Sequence, residues 1–126
     1  MYAADLASRH LGIAISEVSP GRATARMTVT PTMVNGHDIC HGGLIFTLAD
    51  TAFAFACNTH GVVTVAAGAD IVFVSPARLG DELVAEAVER SRTGRTGVCD
   101  VTVRRADGSV VAEFRGRGHA TSKPLG

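Results

Sequence analysis

The sequence predicts an α+β fold in which one buried helix lies against an antiparallel sheet. The segment from Leu44 to Cys57 is apolar or small throughout, except for one carboxylate, Asp50. Two strand-like stretches precede this segment and four follow it, with turn residues between them. We therefore predict two strands, a long buried helix and then four strands in antiparallel succession.

The residues before the long helix predict a short helix and a pair of strands. The short helix ends at Gly12, and Pro31 ends the second strand. In that strand small or apolar residues alternate with Arg and Thr, which is the two-residue period of a half-buried strand. The segments are ADLASRHLG for the helix, and IAISEVS and RATARMTV for strands joined by a turn at PGR.

The long helix is predicted from about Gly42 to Asn58, where Leu, Ala and Phe predominate. A helix that is apolar on every face is buried, whereas a surface helix has a polar face. One curved sheet covers only part of such a helix. We therefore expect a second copy of the chain to cover the rest, in a homodimer.

Four strands are predicted after the helix. Apolar and polar residues alternate in the third of them, and the Asp107-Gly108 pair that follows is a strong hairpin signal. The strands are VVTVAAGADIVFVSP, ELVAEAVERS, VCDVTVRR and SVVAEFRGRGHAT, and the turns are ARLGD, RTGRTG and ADG.

Length, charge and composition exclude several classes of protein. The 126 residues are expected to form one domain over residues 1–126. Twelve Lys and Arg balance twelve Asp and Glu without a basic run, which argues against nucleic-acid binding. Because there is neither a signal-peptide pattern nor an uncharged apolar run of about 20 residues, we expect a cytoplasmic protein that does not enter membranes. The three cysteines fit reduced thiols better than a disulfide framework.

The start of the long helix has the chemistry of an anion site. Gly42 and Gly43 lack side chains, so a ligand can approach the free backbone N–H groups of the first turn. These groups carry the positive end of the helix dipole. The segment therefore predicts a site for an anion or for a developing oxyanion.

Asp50 is the candidate catalytic base or nucleophile. Its neighbours on the helix are mostly apolar, and a buried carboxylate either finds hydrogen-bond donors or has a raised pKa. Either state suits catalysis. The alternative is a structural Asp that caps a loop or bonds to its counterpart in a dimer. Asn35 and His41, just upstream, add an amide and an imidazole, and this proximity favours the catalytic interpretation.

The spacing of these groups indicates a site shared between two chains. Gly42 and Asp50 are eight residues apart, about 12 Å along a helix at roughly 1.5 Å per residue. A reacting carbonyl must lie about 3 Å from both the oxyanion donors and the attacking group. An Asp side chain is too short to close that gap. We therefore expect the N–H donor and the acid to come from two antiparallel helices of a dimer.

A metal site is the competing chemistry. HDICH offers His37, Cys40 and His41, and CNTH offers Cys57 and His60, all residue types that zinc favours. However, a helix of about 17 residues separates the two groups by roughly 25 Å, so a single site cannot use both. We expect neither a metal nor another cofactor, and we interpret Cys57 as a core residue.

The segment VNGHDICHGGLIFTLADTAFAFACN resembles the signature of hotdog-fold acyl-CoA thioesterases. The similarity is greatest to the phenylacetate-degradation branch, whose pattern is an Asn, then HGG, then LAD-x-A. DIVFVSPARLGDELVAEA and FRGRGHA extend the resemblance over nearly the whole chain. The resemblance implies a long helix wrapped by five or six antiparallel strands, dimers that pair sheets edge to edge, and commonly a homotetramer of two dimers.

The resemblance also implies a reaction, the hydrolysis of an acyl-CoA to a free acid and CoA without a metal. The expected substrate is phenylacetyl-CoA or a ring-hydroxylated relative, with short and medium chains as substitutes. Asp50 matches the acidic nucleophile or general base, Gly42 the residue whose N–H polarises the thioester carbonyl, with His41 just before it. Asn35 matches the amide that holds the thioester and the attacking water. Ala66 stands where some relatives have Ser or Thr, so no assisting hydroxyl is expected there.

Further residues are candidates for substrate binding. Gly43 leaves room for the ligand beside the helix start, and Phe46, Phe53 and Phe73 are candidates for the wall of an acyl pocket. Arg78, Arg92 and Arg95 lie in predicted turns, from which they could reach CoA phosphates. The alternatives are core packing for the phenylalanines and solvated turns for the arginines. Two alternative functions remain open: a hotdog hydratase or dehydratase, and a non-catalytic acyl-CoA-binding module.

Overall fold

The computed structural model describes residues 2–125 and contains one long helix and, among these residues, a six-stranded antiparallel sheet. Single-turn 3-10 helices lie at Tyr2–Ala4 and Pro31–Met33. None of the helices in this part of the chain has the length and hydropathy needed to cross a lipid bilayer. The elements are α1 Leu6–His10, β1 Ala14–Ser19, β2 Arg22–Thr28, α2 Gly42–Cys57, β3 Val62–Phe73, β4 Glu82–Thr93, β5 Thr96–Arg105 and β6 Val110–Pro124.

The sheet has the strand order β1-β2-β4-β5-β6-β3, and every neighbouring pair is antiparallel. The predicted α+β class and hotdog architecture, one long helix against one sheet, are confirmed. The predicted succession of the last four strands is wrong in one place, because β3 pairs with β6 and not with β4. Residues 74–81 are too long for a tight hairpin, and they bond elsewhere: Ala77 O accepts from Cys40 N at 2.7 Å, and Arg78 pairs with Ile39. This segment crosses from one edge of the sheet to its interior.

The core lies between α2 and the inner face of the sheet. In β2 the small or apolar residues at alternate positions are buried and face the helix, as the two-residue period predicts. On α2, Leu48 and Ala52 are fully buried, whereas Asp50 and Thr47 on the opposite side are only partly covered. The helix therefore presents one half-covered face, although its sequence is apolar nearly all round.

Two glycines of β6 allow α2 to approach the sheet closely. Gly116 lies beneath Phe53, and a Cβ at this position would be 2.8 Å from the Phe53 ring. Phe114, two residues earlier, contacts both Phe53 and Phe46, with ring centroids 5.8 and 5.3 Å apart. Asp50 lies on the helix between Phe46 and Phe53. The glycine at 116 thus sets the depth at which the turn carrying Asp50 sits on the sheet.

β3 is an edge strand of 12 residues with no neighbour on its outer side within the described chain. Val65 and Val72 are 48% and 64% exposed, and Phe73 at its end is 51% exposed. A long edge strand with apolar side chains is a template for pairing with another strand.

Candidate active site

The first turn of α2 leaves one backbone donor free. His41 is the N-cap residue, and its Nδ1 accepts a hydrogen bond from Gly43 N at 3.2 Å. Its carbonyl oxygen accepts from Leu44 N at 3.0 Å. Gly42 N–H has no protein acceptor among residues 2–125. The cap therefore satisfies the N–H groups after Gly42 and leaves that of Gly42 for a ligand, at the positive end of the helix dipole.

Gly42 borders a cleft of about 350 Å³ between the loop that precedes α2 and the end of β3. Phe73 lies directly over Gly42, since a Cβ at Gly42 would be 2.9 Å from Phe73 Cζ. The lining residues are Asn35, Ile39, Cys40, Gly42, Ile45, Phe73, Val74, Ser75 and Pro76. The structure thus places Gly42, Asn35 and Phe73 in one cleft, although Phe73 is far from the other two in sequence.

Asn35 holds the loop on one side of this cleft. Its Oδ1 accepts hydrogen bonds from His37 N at 2.9 Å and Ile39 N at 3.3 Å, and its backbone N–H donates to Ile39 O at 2.8 Å. Within the loop Asp38 has a φ of 59°, a conformation that Asp tolerates better than most residues. The amide nitrogen of Asn35 has no partner among the described residues, so its two N–H groups are available at the cleft.

Asp50 lies in the middle of α2 and is half-buried. Its carboxylate has neither a hydrogen bond nor an ion pair with any residue of the described chain. Burial, and to a smaller extent the charge of Asp5, raises the pKa of Asp50 above its ordinary value. Of the two states expected for this acid, the structure therefore has the one without donors and with a raised pKa, which makes the carboxylate a stronger base.

Asp50 does not line the cleft that contains Gly42. One chain consequently holds the oxyanion donor and the acid in separate places, as the spacing on the helix predicts. Ala66 lies on β3, where it pairs with Gly118 of β6, and contributes no hydroxyl.

Arg78 does not line the cleft that contains Gly42, but it lies two residues after Pro76, which does. Its backbone N–H donates to Asp81 Oδ2 at 2.8 Å, and its exposed side chain borders a second cavity beside Pro76. Arg105 also borders this cavity and donates to the carbonyl oxygen of Pro76. Sequence analysis missed Arg105, because nothing in its position at the end of a strand indicates that β5 brings it to Arg78.

Arg92 and Arg95 lie far from Arg78 and Arg105. The predicted turn at residues 92–97 is shorter in the structure, because β4 continues to Thr93 and β5 begins at Thr96. Arg92 is consequently a strand residue, with a guanidinium nitrogen 3.9 Å from Glu89 Oε2. Glu89 in turn bonds to His60 at 2.9 Å, just beyond the C-terminal end of α2. Within one chain Arg78 and these two arginines therefore lie in separate places, and contact of any of them with CoA phosphates stays a prediction.

The cysteines and histidines do not assemble into a metal site. No three His, Cys, Asp or Glu side chains among residues 2–125 lie close enough together to hold a metal ion. Cys40, Cys57 and Cys99 are free and buried. Burial raises the pKa of Cys57 to about 11 and that of Cys99 to about 12, so both are protonated core residues at neutral pH.

Comparison with known proteins assigns the family. The family model of the thioesterase superfamily matches residues 37–112, which include the start of α2, Asp50 and the crossing segment. The chain belongs to the thioesterase superfamily. One relative of the chain is the acyl-coenzyme A thioesterase PaaI of Escherichia coli. The two sequences are 45% identical over 119 residues, which cover 94% of this chain and 85% of the relative. The human acyl-coenzyme A thioesterase 13 is 30% identical over 111 residues, 85% of this chain and 79% of the relative.

Solved structures of other proteins also resemble this chain. The structure of the E. coli PaaI protein from the phenylacetic acid degradation operon superimposes with a TM-score of 0.97 at 43% identity, over 100% of this chain and 91% of that one. The smu.793 protein from Streptococcus mutans, bound to acetyl CoA, has a TM-score of 0.85 at 25% identity, over 90% and 91% of the two chains. The predicted resemblance to hotdog-fold thioesterases of the phenylacetate branch is confirmed.

Proposed function

We propose that this protein is an acyl-CoA thioesterase that hydrolyses phenylacetyl-CoA, or a ring-hydroxylated phenylacetyl-CoA, to the free acid and CoA. The name and operon of the E. coli relative support the reaction and the acyl group. The acetyl CoA bound by the S. mutans protein supports a CoA thioester as the ligand class. Short- and medium-chain acyl-CoA are secondary substrates.

The proposal rests on two groups that lie at separate positions along α2, one in the middle of the helix and one at its start. Asp50 is a carboxylate without donors and with a raised pKa, and Gly42 has a backbone N–H without an acceptor. A thioester needs little more, because a thiolate leaves without prior protonation. One oxyanion donor and one base or nucleophile are sufficient.

In the proposed mechanism Gly42 N–H of one protomer polarises the thioester carbonyl, and Asp50 of its partner acts on the carbonyl carbon. Asp50 either attacks that carbon itself, which gives a mixed anhydride that water then hydrolyses to the free acid and the Asp50 carboxylate, or it accepts the proton of a water molecule that attacks the carbon. The C–S bond breaks, CoA leaves as the thiolate, and the acyl group takes the oxygen of water. Asn35 holds the thioester and the water with its amide N–H groups, and His41 keeps the first turn of α2 in place.

We further propose that the protein is a homodimer that pairs β3 with β3 of the partner, and a homotetramer of two such dimers. The exposed apolar edge of β3 supports the pairing. Phe73 and Gly43 border the acyl group and the thioester, and Arg78 meets the CoA phosphates. The remaining proposals are a single domain over residues 1–126 that needs no cofactor and acts in the cytoplasm.

The first experiment measures thiol release from phenylacetyl-CoA and butyryl-CoA by the wild type and by Asp50→Asn. We expect rapid release from phenylacetyl-CoA, lower by on the order of a thousandfold or more in the variant. Glu113→Gln is the matched control, because it removes an exposed carboxylate on the opposite face of the sheet. Acyl-CoA binding without release by the wild type would instead indicate the acyl-CoA-binding module.

A second experiment tests whether the site is shared. Asp50→Asn and Gly42→Val are each inactive on this mechanism, yet a mixed dimer of the two has one site with both groups intact. Random reassembly of equal amounts should restore about a quarter of wild-type activity. If both groups act within one chain, mixing restores none.

A further inference from the structure

The N-terminal segment packs on α2 next to the turn that carries Asp50. The hydroxyl of Tyr2 donates to Ile13 O at 2.6 Å, so the segment is tied to the chain just before β1. The Tyr2 ring also contacts Phe55 of α2, with centroids 6.4 Å apart. Between these contacts lies α1, whose one buried side chain is Ser8.

A chain of polar contacts joins this segment to α2. Asp5 caps α1, because its Oδ1 accepts from Ser8 N at 3.0 Å, and its Oδ2 accepts from Ser8 Oγ at 2.6 Å. Ser8 Oγ lies 3.2 Å from Thr51 Oγ1, and Thr51 Oγ1 donates to Thr47 O at 2.7 Å. Thr51 is the residue immediately after Asp50, and Thr47 lies one turn before it.

These contacts are buried and specific. Ser8 is 2% exposed and Thr51 7% exposed, in a helix whose other buried residues are all apolar. Burying a hydroxyl costs free energy unless it is hydrogen-bonded, so packing alone would favour Ala or Val at these positions. Because Ser8 Oγ donates its one proton to Asp5, Thr51 Oγ1 is the donor in its contact with Ser8, and it shares that proton with Thr47 O. The bonding of the Asp50 turn is thereby coupled to the charge of Asp5.

Among the described residues packed around α2, Asp5 is the charged group that acts on Asp50, whereas Arg9 and His10 of α1 are exposed. The strands present apolar or small side chains to the helix, and the arginines of β6, Arg115 and Arg117, are exposed on the outer face of the sheet. The thiols of Cys57 and Cys99 have pKa values of about 11 and about 12 and are neutral. Glu89 lies beyond the C-terminal end of α2, bonded to His60. Asp5 raises the pKa of Asp50, second only to burial.

We propose that Asp5 and Ser8 are positioning residues for Asp50: the contacts from Asp5 through Ser8 to Thr51 fix the turn of α2 that carries Asp50, and they hold a second carboxylate beside it. This inference rests on the proposed function, in which Asp50 is the base or nucleophile. A neighbouring negative charge disfavours ionisation, so it keeps the acid more basic than burial alone would. The fixed turn keeps the carboxylate aimed at the partner's cleft.

Two conservative variants separate the charge from the contact. Asp5→Asn removes the charge but keeps an oxygen that caps α1, because Asn and Asp are equally good N-cap residues. Ser8→Ala removes the contact with Thr51 and leaves the carboxylate of Asp5 in place. Thr51 keeps its bond to Thr47 O in both variants, so neither leaves a buried hydroxyl without a partner.

The test follows the titration of the Asp50 carboxyl carbon by NMR, assigned by its loss in Asp50→Asn, together with the pH profile of kcat/KM. In Asp5→Asn we expect both the NMR titration and the acid limb of the profile to move to lower pH. In Ser8→Ala we expect kcat to fall roughly tenfold with KM little changed. Glu113→Gln, which removes a distant carboxylate, should move neither.

An unchanged Asp50 titration in Asp5→Asn, or an unchanged kcat in Ser8→Ala, overturns the corresponding half of the inference. The NMR readout is independent of turnover. If the wild type releases no thiol but the Asp50 titration still moves in Asp5→Asn, the proposed function is wrong, whereas the coupling of the two carboxylates is supported.

Discussion

The two ends of α2 differ in how their backbone groups are satisfied. At the C-terminal end Asn58 closes the helix: its Nδ2 donates to Ala54 O at 2.8 Å and to Thr64 O at 3.0 Å, and its Oδ1 accepts from Thr64 N at 2.8 Å. At the N-terminal end Gly42 N–H has no acceptor among the described residues and faces a cleft. Every helix leaves unpaired groups at both ends. Here side chains bond carbonyl oxygens of the last turn, whereas the cap at the first turn leaves the Gly42 N–H unpaired.

We therefore expect substitutions at the two ends of α2 to differ in whether they reduce turnover or stability. Changes at the N-terminal end should reduce turnover with little loss of stability, because in the proposed mechanism the groups there meet the substrate. Changes at the C-terminal end should reduce stability with little loss of turnover, because the groups there meet only the protein.

Among substitutions at the two ends of α2, the largest effect is expected for Gly42→Ala. The added methyl group would lie 2.9 Å from the Phe73 ring, so either the ring or the first turn of α2 must move. Displacing a backbone oxyanion donor lowers kcat by about 10²-fold. Thiol release measures this loss, and thermal unfolding should show that the variant stays folded. Turnover within twofold of the wild type would exclude Gly42 as the donor.

Gly43→Ala is the comparison for this substitution, because the Gly43 N–H already donates to His41 Nδ1 and is not the proposed oxyanion donor. A Cβ at Gly43 would meet only the His41 ring, 3.4 Å away, at an exposed position that is already helical. We expect turnover to fall far less than in Gly42→Ala.

The next largest effects on stability and turnover are expected at two asparagines, one near each end of α2. Asn58→Ala removes four hydrogen bonds, two of them to the Thr64 backbone, so we expect a loss of about 2 kcal/mol in unfolding free energy and little change in kcat. Asn35→Ala changes an exposed loop, so turnover should fall while stability changes by less than about 1 kcal/mol. Chemical denaturation and thiol release on both variants test the pattern, and equal behaviour of the two would contradict it.

A smaller effect is expected on the pH dependence of stability. Burial and Asp5 raise the pKa of Asp50 above its value in the unfolded chain. The folded state therefore binds the proton more tightly, and this favourable contribution, complete at acidic pH, is lost as the pH rises through the folded-state pKa. Asp50→Asn should consequently raise the melting temperature at neutral pH, and the gain should disappear at acidic pH. A variant less stable than the wild type at neutral pH would show that the carboxylate is paired.

The smallest effect is expected on the rates at which the three cysteine thiols are alkylated. Cys57 and Cys99 have pKa values of about 11 and about 12 and lie in the core, so a thiol reagent should reach them only through unfolding. Cys40 is also buried, but it borders the cleft. We expect Cys40 to be alkylated first in the native protein, and saturating CoA to slow its reaction. Mass spectrometry of timed samples identifies the order, which Cys57 reacting first would contradict.

Much of the fold was predictable because its signals are local. The alternation in β2, the apolar length of α2 and the Asp-Gly turn after β5 each depend on a few neighbouring residues. Gly42, Asn35 and Asp50 were identified as candidates for the same reason, since a helix start and a lone acid in an apolar helix are visible in the sequence.

The mistaken predictions concern partners that are distant in sequence. β3 pairs with β6 because residues 74–81 bond to the loop before α2, and no local signal shows where a crossing segment leads. Arg92 was assigned to a turn because Gly94 and Gly97 both suggested one, whereas only Gly94 has the positive φ of a turn, at 60°. Gly97 lies within β5.

The sequence by itself determined most of the helices and strands and which residues are candidates for catalysis, because periodicity and residue chemistry are local properties. Only the tertiary structure decided which groups meet. It placed Phe73 over Gly42, brought Arg105 to Arg78 and joined Ser8 to Thr51 beside Asp50. Such contacts depend on how the strands are ordered in the sheet and how closely α2 packs against it, and these depend on the packing of the whole chain.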